Sequence, residues 1–347
     1  MNIFLDDSKC REQLFPFSLT RHAADIRIGI LTIKEKWRNL SSATIFTNEK
    51  NIPADALLVN ANIIPTEKNI DTLLKAAAGK IAVMENDDIK IIHHPWQIFQ
   101  LNDWALRRDF ELLTKNRASQ KISNTNKYSN EKDIFIEEGA VVEHSFLNAT
   151  AGPVYIGKNA EVMEGSMVRG PFSLGENSVL KMGSKIYGAT SIGPYCIAGG
   201  EIKNSVIFGY SNKAHDGYLG DSVVGEWCNL GAGSSNSNIK NTGGEVKYVI
   251  NQNRDTLTAG NKAGLLMGDY SRSAINTSFN TGTIIGVCCN IFGSISPGKY
   301  TGNFSWGSER YIFEKALKDI ANWKKMKQQV LTDKEMEMLQ QLYLSNQ

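Results

Sequence analysis

At 347 residues, with 41% hydrophobic side chains and a formal net charge of +2, the chain has room for two domains and the composition of a globular protein. That near-balanced charge, with no basic block interleaved with aromatics, argues against a nucleic-acid binder, and no apolar run approaches the ~20 residues of a membrane span. The opening MNIFLDDSKC has no basic segment followed by a long apolar one, so the expectation is a cytoplasmic protein with no membrane partner.

Residues 1–116 do not repeat. Short apolar runs (Ile3 to Leu5, Ala43 to Phe46, Ala56 to Val59, Lys80 to Met84, Lys90 to Ile92) alternate with stretches expected to be helical (Ile28 to Leu40, Asn69 to Ala78, Trp96 to Thr114). This alternation predicts a small α/β domain with a mainly parallel sheet. Residues 117–133 are polar and rich in Asn, Ser and Lys, the composition of a linker.

A different order governs residues 134–307. Counting in sixes from Ile156 gives Val162, Val168, Leu174, Leu180, Ile186, Ile192 and Ala198, apolar every time. Four places after each comes a mostly small residue: Ala160, Ser166, Phe172, Ser178, Ser184, Thr190, Cys196, Ile202. A period of six belongs to neither a helix nor a single strand. It predicts a parallel β-helix in which three hexads close one triangular coil.

The repeat starts at Ile136 and Val142, shifts by two across Asn148 to Pro153, and shifts again after Ala198 to resume at Val224, Leu230 and Asn236. The second shift predicts an excursion over Asn204 to Gly217, which contains His215, and loops on a rigid scaffold are where chemistry is placed. A polar insertion from Ile239 to Lys262 precedes a third phase, Met267, Ser273, Phe279, Ile285 and Ile291, with Ser271, Thr277, Thr283, Cys289 and Ile295 on its fifth places. Together the phases predict about six coils and, at ~4.8 Å per strand, a column about 30 Å tall.

From 308 to 347 the pattern is helical. Ile312, Phe313, Ala316, Leu317, Ile320, Trp323 and Met326 form one stripe, and Thr332 with Glu335 forms a capping box for a last helix. These helices are expected to cover the open end of the column or to pack on a neighbouring chain. The five cysteines have no CxxC spacing; Cys196, Cys228 and Cys289 fall on fifth places and read as buried filler, with no metal site expected.

The segment YSNKAHDGYLGDSVVGEWCNLGAG, from Tyr210 to Gly233, resembles the acetyltransferase half of bifunctional glucosamine-1-phosphate acetyltransferase/N-acetylglucosamine-1-phosphate uridylyltransferases, whose motif runs His-x-x-Tyr-x-Gly-Asp and then Asn-Ile-Gly-Ala-Gly. With TRHAADIRIGILTIKEKW, GPVYIGKNAEVMEGSMVRGPF and INTSFNTGTIIGV, nearly the whole chain is similar to a divergent GlmU-like family of the Bacteroidetes. That resemblance implies a left-handed β-helix and acetyl transfer from acetyl-CoA to an amino-sugar 1-phosphate in nucleotide-sugar synthesis. It implies His215 as the general base, the role an imidazole titrating near neutrality fits. Lys185 and Lys203 would hold the sugar phosphate, and Tyr218, Asn229 and Asn238 would contact the sugar or orient the histidine. Backbone groups near Ala274, Ile275 and Gly293 would hold acetyl-CoA between columns of a homotrimer. The position of Lys185 is commonly Arg in that family, and a family tyrosine is here Ile239.

The stretch from Leu14 to Gly29 resembles the opening of a sugar nucleotidyltransferase, which implies UTP or another nucleoside triphosphate as a partner and Mg²⁺ as a cofactor if that half is active. The Gly-x-Gly-Thr-Arg loop of that family is missing, His22 stands for its proline, and Ala23 and Ile30 stand for its two lysines. Arg11 and Arg21 would then supply charge, and Asp6 or Asp7 a metal ligand. Two alternatives remain: a nucleotidyltransferase whose β-helix serves assembly or regulation, and a non-catalytic trimeric scaffold.

Overall fold

The computed structural model describes residues 1–47, 50, 52–293 and 298–345. The hexads wind into a parallel β-solenoid with three walls. In the first, nine strands from Ile134–Ile136 to Tyr300–Thr301 stack in parallel register. The second runs from Val141–Val142 to Ser305–Trp306 and is closed by the antiparallel strand Glu309–Arg310. Its third companion holds six strands, from Lys127–Ser129 to Tyr218–Gly220, and the pair Ser235–Asn236 and Ser278–Phe279 lies beyond it.

Inward residues of all three walls make one apolar core, with Ile136, Ile156, Val162, Val168, Leu174, Leu180, Ile186 and Ile192 at most 2% exposed. Their neighbours at the fifth places are buried too, and several do more than fill space. Ser178 Oγ donates to Gly193 O (2.8 Å) and Ser271 Oγ to Gly286 O (2.7 Å), so a small hydroxyl ties one coil to the next. Cys196, Cys228 and Cys289 are buried and free, as their places predict. Ile295 lies outside the described residues.

Nine coils' worth of strands exceed the six expected, for two reasons. The polar stretch 117–133, expected as a linker, supplies the first coil: Lys127–Ser129 pairs with Phe146–Asn148, and Asn126 donates from Nδ2 to Val142 O (2.7 Å). At ~4.8 Å per strand, the nine-stranded wall spans about 38 Å. The second reason is that the solenoid continues through the phase shift. Asn204 to Gly217 is no excursion: Val206–Ile207 and Asn212–Lys213 keep their places in two walls. Phe172 pairs with Thr190, eighteen positions on, whereas Ser191 pairs with Val206, only fifteen on, so this coil has shorter corners. The true excursion is the antiparallel hairpin of Val246–Val249 and Thr256–Gly260, within the polar insertion.

The amino-terminal region builds a three-stranded parallel sheet in the order Thr44–Phe46, Asn2–Asp6, Leu57–Asn60. Its helices are α1 (Ile33–Leu40), α2 (Ile70–Gly79), α3 (Gln97–Gln100) and α4 (Asn102–Thr114). Helix α1 starts later than expected, because Arg27–Ile28 and Leu31–Thr32 first make an antiparallel pair, and Thr32 with Glu35 caps the helix reciprocally. Lys80 to Met84, expected as a strand, is irregular, with Ile81 and Met84 exposed. This region has no separate core: Ile3, Phe17, Trp37 and Phe99 share one with Phe208, Tyr248 and Leu266 of the solenoid and its hairpin.

Helices α5 (Phe313–Met326) and α6 (Asp333–Ser345) pack along the side of the solenoid rather than over its end. Ala316 and Ile320 of the stripe are buried against Trp227, Tyr270 and Phe304, while Ile312 and Met326 at its ends stay exposed. The edge they cover carries an aromatic ladder. Tyr195 stacks on Tyr210 at 4.9 Å between centroids, and Tyr210 on Trp227 at 4.3 Å. Thr332 and Glu335 form the reciprocal cap of α6, Glu335 Oε2 accepting from Thr332 N (2.9 Å) and Thr332 Oγ1 from Glu335 N (3.3 Å). Among the described residues, no helix is long and apolar enough to cross a membrane.

Candidate functional site

His215 sits on the edge between the second and third walls, in a corner of four residues joining Asn212–Lys213 to Tyr218–Gly220. It is exposed, and its imidazole makes no hydrogen bond among the described residues. The corner is held closely from both sides. Gly200, at φ +72°, lies below it, where a Cβ would stand 2.7 Å from His215 O; a Cβ on Gly217, at φ +121°, would stand 2.1 Å from Ser234 O. Glycine is therefore required at both places by backbone angle and by space.

Three of the expected substrate residues, Lys185, Lys203 and Tyr218, share the third wall, and Asn238 reaches Tyr218 from beyond its last strand. Register places Lys185, Glu201 and Tyr218 in one outward row and Tyr187 and Lys203 in the next. Tyr187 donates from Oη to Glu201 Oε1 (2.6 Å), and Lys203 Nζ lies 5.5 Å from the centre of the Tyr187 ring. The bond to Glu201, with burial, pushes the Tyr187 phenol up to about 12. Asn238 donates from Nδ2 to Tyr218 Oη (3.1 Å) and also to Asp221, whose other oxygen accepts from Asn204 Nδ2 (2.6 Å). Burial and the Asp221 carboxylate keep the Tyr218 phenol protonated well above its ordinary range. Neither Lys185 nor Lys203 has a carboxylate within ion-pair reach among the described residues, which leaves two cations facing outward. Lys185 also lines an open groove of about 710 Å³ with Phe146, Met167, Arg169 and Tyr187.

Asn229 is placed differently. It belongs to the second wall, between Asn212 and Arg272, across the His215 edge from Tyr218. Both flanking residues are covered by α5 and the residue that follows it: Lys327 donates to Asn212 Oδ1 (3.0 Å), and the Arg272 guanidinium lies 5.0 Å from the Trp323 ring centre. The expected acetyl-CoA residues line the His215 edge two and three coils further on. Ala274 has its amide bound to Ile291 O (2.8 Å) and its carbonyl bound by Ser234 and Thr277, so its backbone is already satisfied. Ile275 is 68% exposed, and among the described residues nothing within 4 Å would meet a Cβ on Gly293.

Of the amino-terminal candidates, Asp7 and Arg11 pair with each other, whereas Arg21 is turned to the solenoid. Arg21 is a correction: its guanidinium is buried at the junction with the solenoid, paired with Asp269 and with Glu226 (3.0 Å), while Thr20 Oγ1 donates to Asp269 Oδ2 (2.5 Å). Burial opposes the Arg21 charge, but its two carboxylates more than restore it. Asp7 is occupied by Arg11 (3.0 Å), by the Ala23 amide (3.1 Å) and by His22 (3.4 Å). Asp6 Oδ1 accepts from the Ser8 amide (2.9 Å). Among the described residues, no three His, Cys, Asp or Glu side chains gather as metal ligands.

Sequence reasoning missed Lys213, whose side chain points into the solenoid directly beneath the His215 corner. A charged residue on an inward place, two positions before His215, was the signal available in the sequence.

Residues 2–89 match a family model described as sugar nucleotidyl transferase. A bifunctional protein GlmU of Methanococcus maripaludis is 26% identical over 286 residues, covering 78% of this chain and 61% of that protein. A bifunctional sugar-1-phosphate nucleotidylyltransferase/acetyltransferase of Sulfurisphaera tokodaii is 29% identical over 264 residues, 68% of this chain and 57% of its own. A bifunctional protein GlmU of Methanocaldococcus jannaschii is 32% identical over 117 residues, 33% of this chain and 28% of its own. The chain thus spans about three fifths of the length of the relatives that match it most fully. A hexapeptide transferase family protein from Anaplasma phagocytophilum overlaps 63% of this chain and 83% of its own at 15% identity and a TM-score of 0.25, too slight an overlap to bear on the fold.

Proposed function

We propose that the solenoid is an acetyl-CoA-dependent N-acetyltransferase acting on an amino-sugar 1-phosphate, with glucosamine-1-phosphate as its acceptor and His215 as its base. The observation that carries this is that His215 stands at the edge of the wall bearing Tyr218 and two lysines without an ion-pair partner among the described residues, with the Asn238–Asp221 network holding Tyr218. Two bifunctional relatives, similar over most of this chain, support a sugar-phosphate transferase.

In this reading Lys185 and Lys203 bind the sugar phosphate as point charges. Tyr218, held by Asn238, positions a sugar hydroxyl. The amine attacks the thioester carbonyl, the C–N bond forms and the C–S bond breaks. The imidazole of His215 takes the proton that the nitrogen must lose and returns it to the leaving thiolate. Acetyl-CoA lies along the edge past Ile275 and Gly293. Because His215 is exposed on a convex edge, the site needs a second surface to exclude water, and the wall of a neighbouring copy in a homotrimer is its natural source. Asn229, on the far side of the edge, would then serve the neighbouring site.

The test is CoA-SH release with acetyl-CoA and glucosamine-1-phosphate, compared with Lys203→Met. Loss of one charge-assisted bond should raise KM for the sugar phosphate about tenfold or more and leave KM for acetyl-CoA within twofold. An unchanged sugar-phosphate KM would remove Lys203 from the site, and no release by the unmodified protein would end the reading.

A second reading, nucleotidyl transfer by the amino-terminal region, is favoured by the family match over residues 2–89. The internal pairing of Arg21, Asp7 and Arg11 weighs against it, and the expected outcome is no pyrophosphate from UTP and N-acetylglucosamine-1-phosphate with Mg²⁺. Pyrophosphate release would restore it.

A further inference from the structure

We infer that Lys213 is a positioning residue for His215: from inside the solenoid, its ammonium fixes the backbone of the corner that carries the base. For its kinetic consequence this rests on the acyl-transfer reading; for its geometry it does not.

The inward places of the second wall read Val142, Val162, Leu180, Ala198, Lys213, Leu230, Ser273 and Ile291, so a lysine, the one charged side chain among them, interrupts a mostly apolar row. It is 2% exposed, and Ala198, its partner on the preceding strand, is the smallest side chain in that row. Nζ donates to two carbonyls, Gly199 O at 3.1 Å and His215 O at 2.5 Å. No carboxylate lies within ion-pair reach among the described residues; Asp216 helps only at longer range. An aliphatic residue would serve the core better than a buried charge, so packing does not account for this lysine.

Its two bonds do account for it. Gly199 and His215 lie on successive coils, and their carbonyls receive no other hydrogen bond among the described residues. One ammonium therefore joins the two coils at the point where the base leaves the backbone. Without it, the His215 carbonyl is left to turn outward to water, and the imidazole turns with it.

The experiment compares the full-length protein with Lys213→Met, a volume-conserving change that removes the donors. Hydrogen exchange by mass spectrometry at the Glu201 and Gly233 amides, which donate to Gly217 O (3.2 Å) and Asp216 O (3.0 Å) of the corner, should quicken at least tenfold while the rest of the solenoid is unchanged. In the same variant kcat for CoA-SH release should fall at least tenfold with KM for glucosamine-1-phosphate within twofold, a split that loss of binding residues would not give. Unchanged exchange at the corner overturns the inference whatever kcat does, and a looser corner with unchanged kcat overturns its catalytic consequence. If the unmodified protein releases no CoA-SH, the acyl-transfer reading fails, and corner exchange alone decides whether Lys213 holds His215. Should Lys213→Met not fold, Lys213→Gln, which keeps a shorter donor, is read by the same criteria.

Discussion

The charge on Lys213 has a thermodynamic signature separate from its effect on catalysis. Burial lowers its pKa from an ordinary 10.5 to about 8. A lowered lysine pKa means that the unfolded chain binds the proton more tightly than the folded one, so folding is favoured as the proton leaves. The stability this group withholds at neutral pH, on the order of 3 kcal/mol, is therefore recovered as pH rises from 8 through 10.5. Urea denaturation of the unmodified protein should show a gain of about 2 kcal/mol between pH 7.5 and 9.5 relative to Lys213→Met. A flat difference would mean that the amine is not buried as a charge. Single residues also mark where the sequence was readable. That His215 lies near Tyr218 and Lys203 follows from the family resemblance and not from the hexad count, because the phase breaks after Ala198 and the coil there is shortened. The place of Arg21 follows from neither, because nothing local to residue 21 announces a partner at Asp269, far along the chain.

Among the elements, the junction between the amino-terminal region and the solenoid is the most exacting. The segment carrying Thr20 and Arg21 meets the solenoid edge at Asp269 and Glu226, and Asp269 Oδ1 also accepts from the Glu226 amide (2.8 Å). Removing one partner of a buried ion pair leaves the other unpaired, so Asp269→Ala should cost about 3–5 kcal/mol by chemical denaturation. A loss under about 1 kcal/mol would mean that the junction relaxes into water. A second buried pair, Lys36 of α1 with Asp109 of α4, organises the other side of the region; Asp109 also accepts from the Ile30 (2.8 Å) and Leu31 (3.1 Å) amides, which fixes the approach to α1. The C-terminal pair α5 and α6 was legible as a stripe and a capping box. Its docking surface was not, because the ladder of Tyr195, Tyr210 and Trp227 sits at unequal spacings of fifteen and seventeen where the coils shorten.

For the whole molecule, a six-residue period specifies a column, and the apolar inward places made that column visible. It disappears from the sequence at some places where the inward residue is polar and satisfied by the backbone. Lys213 is one such place; Asn236, which exchanges bonds of 2.9 and 3.0 Å with the Gly220 backbone, is polar too but stays in phase with Leu230 and so remained visible. The first coil was hidden for the same reason, since Asn126 side-chain bonds to the Val142 and Ser145 backbone do there what an apolar side chain does elsewhere. The amino-terminal region shares its core with this column and gives Arg11, Arg21 and Lys36 to internal carboxylates, which is why the proposed acyl transfer is placed on the edge that carries His215. The most direct measurement of that account is the kcat for CoA-SH release from acetyl-CoA and glucosamine-1-phosphate by His215→Ala beside the unmodified protein, with both variants' folding checked by circular dichroism. Loss of a general base predicts a fall of about 10²- to 10⁴-fold in a protein that remains folded; release at an undiminished rate would contradict it.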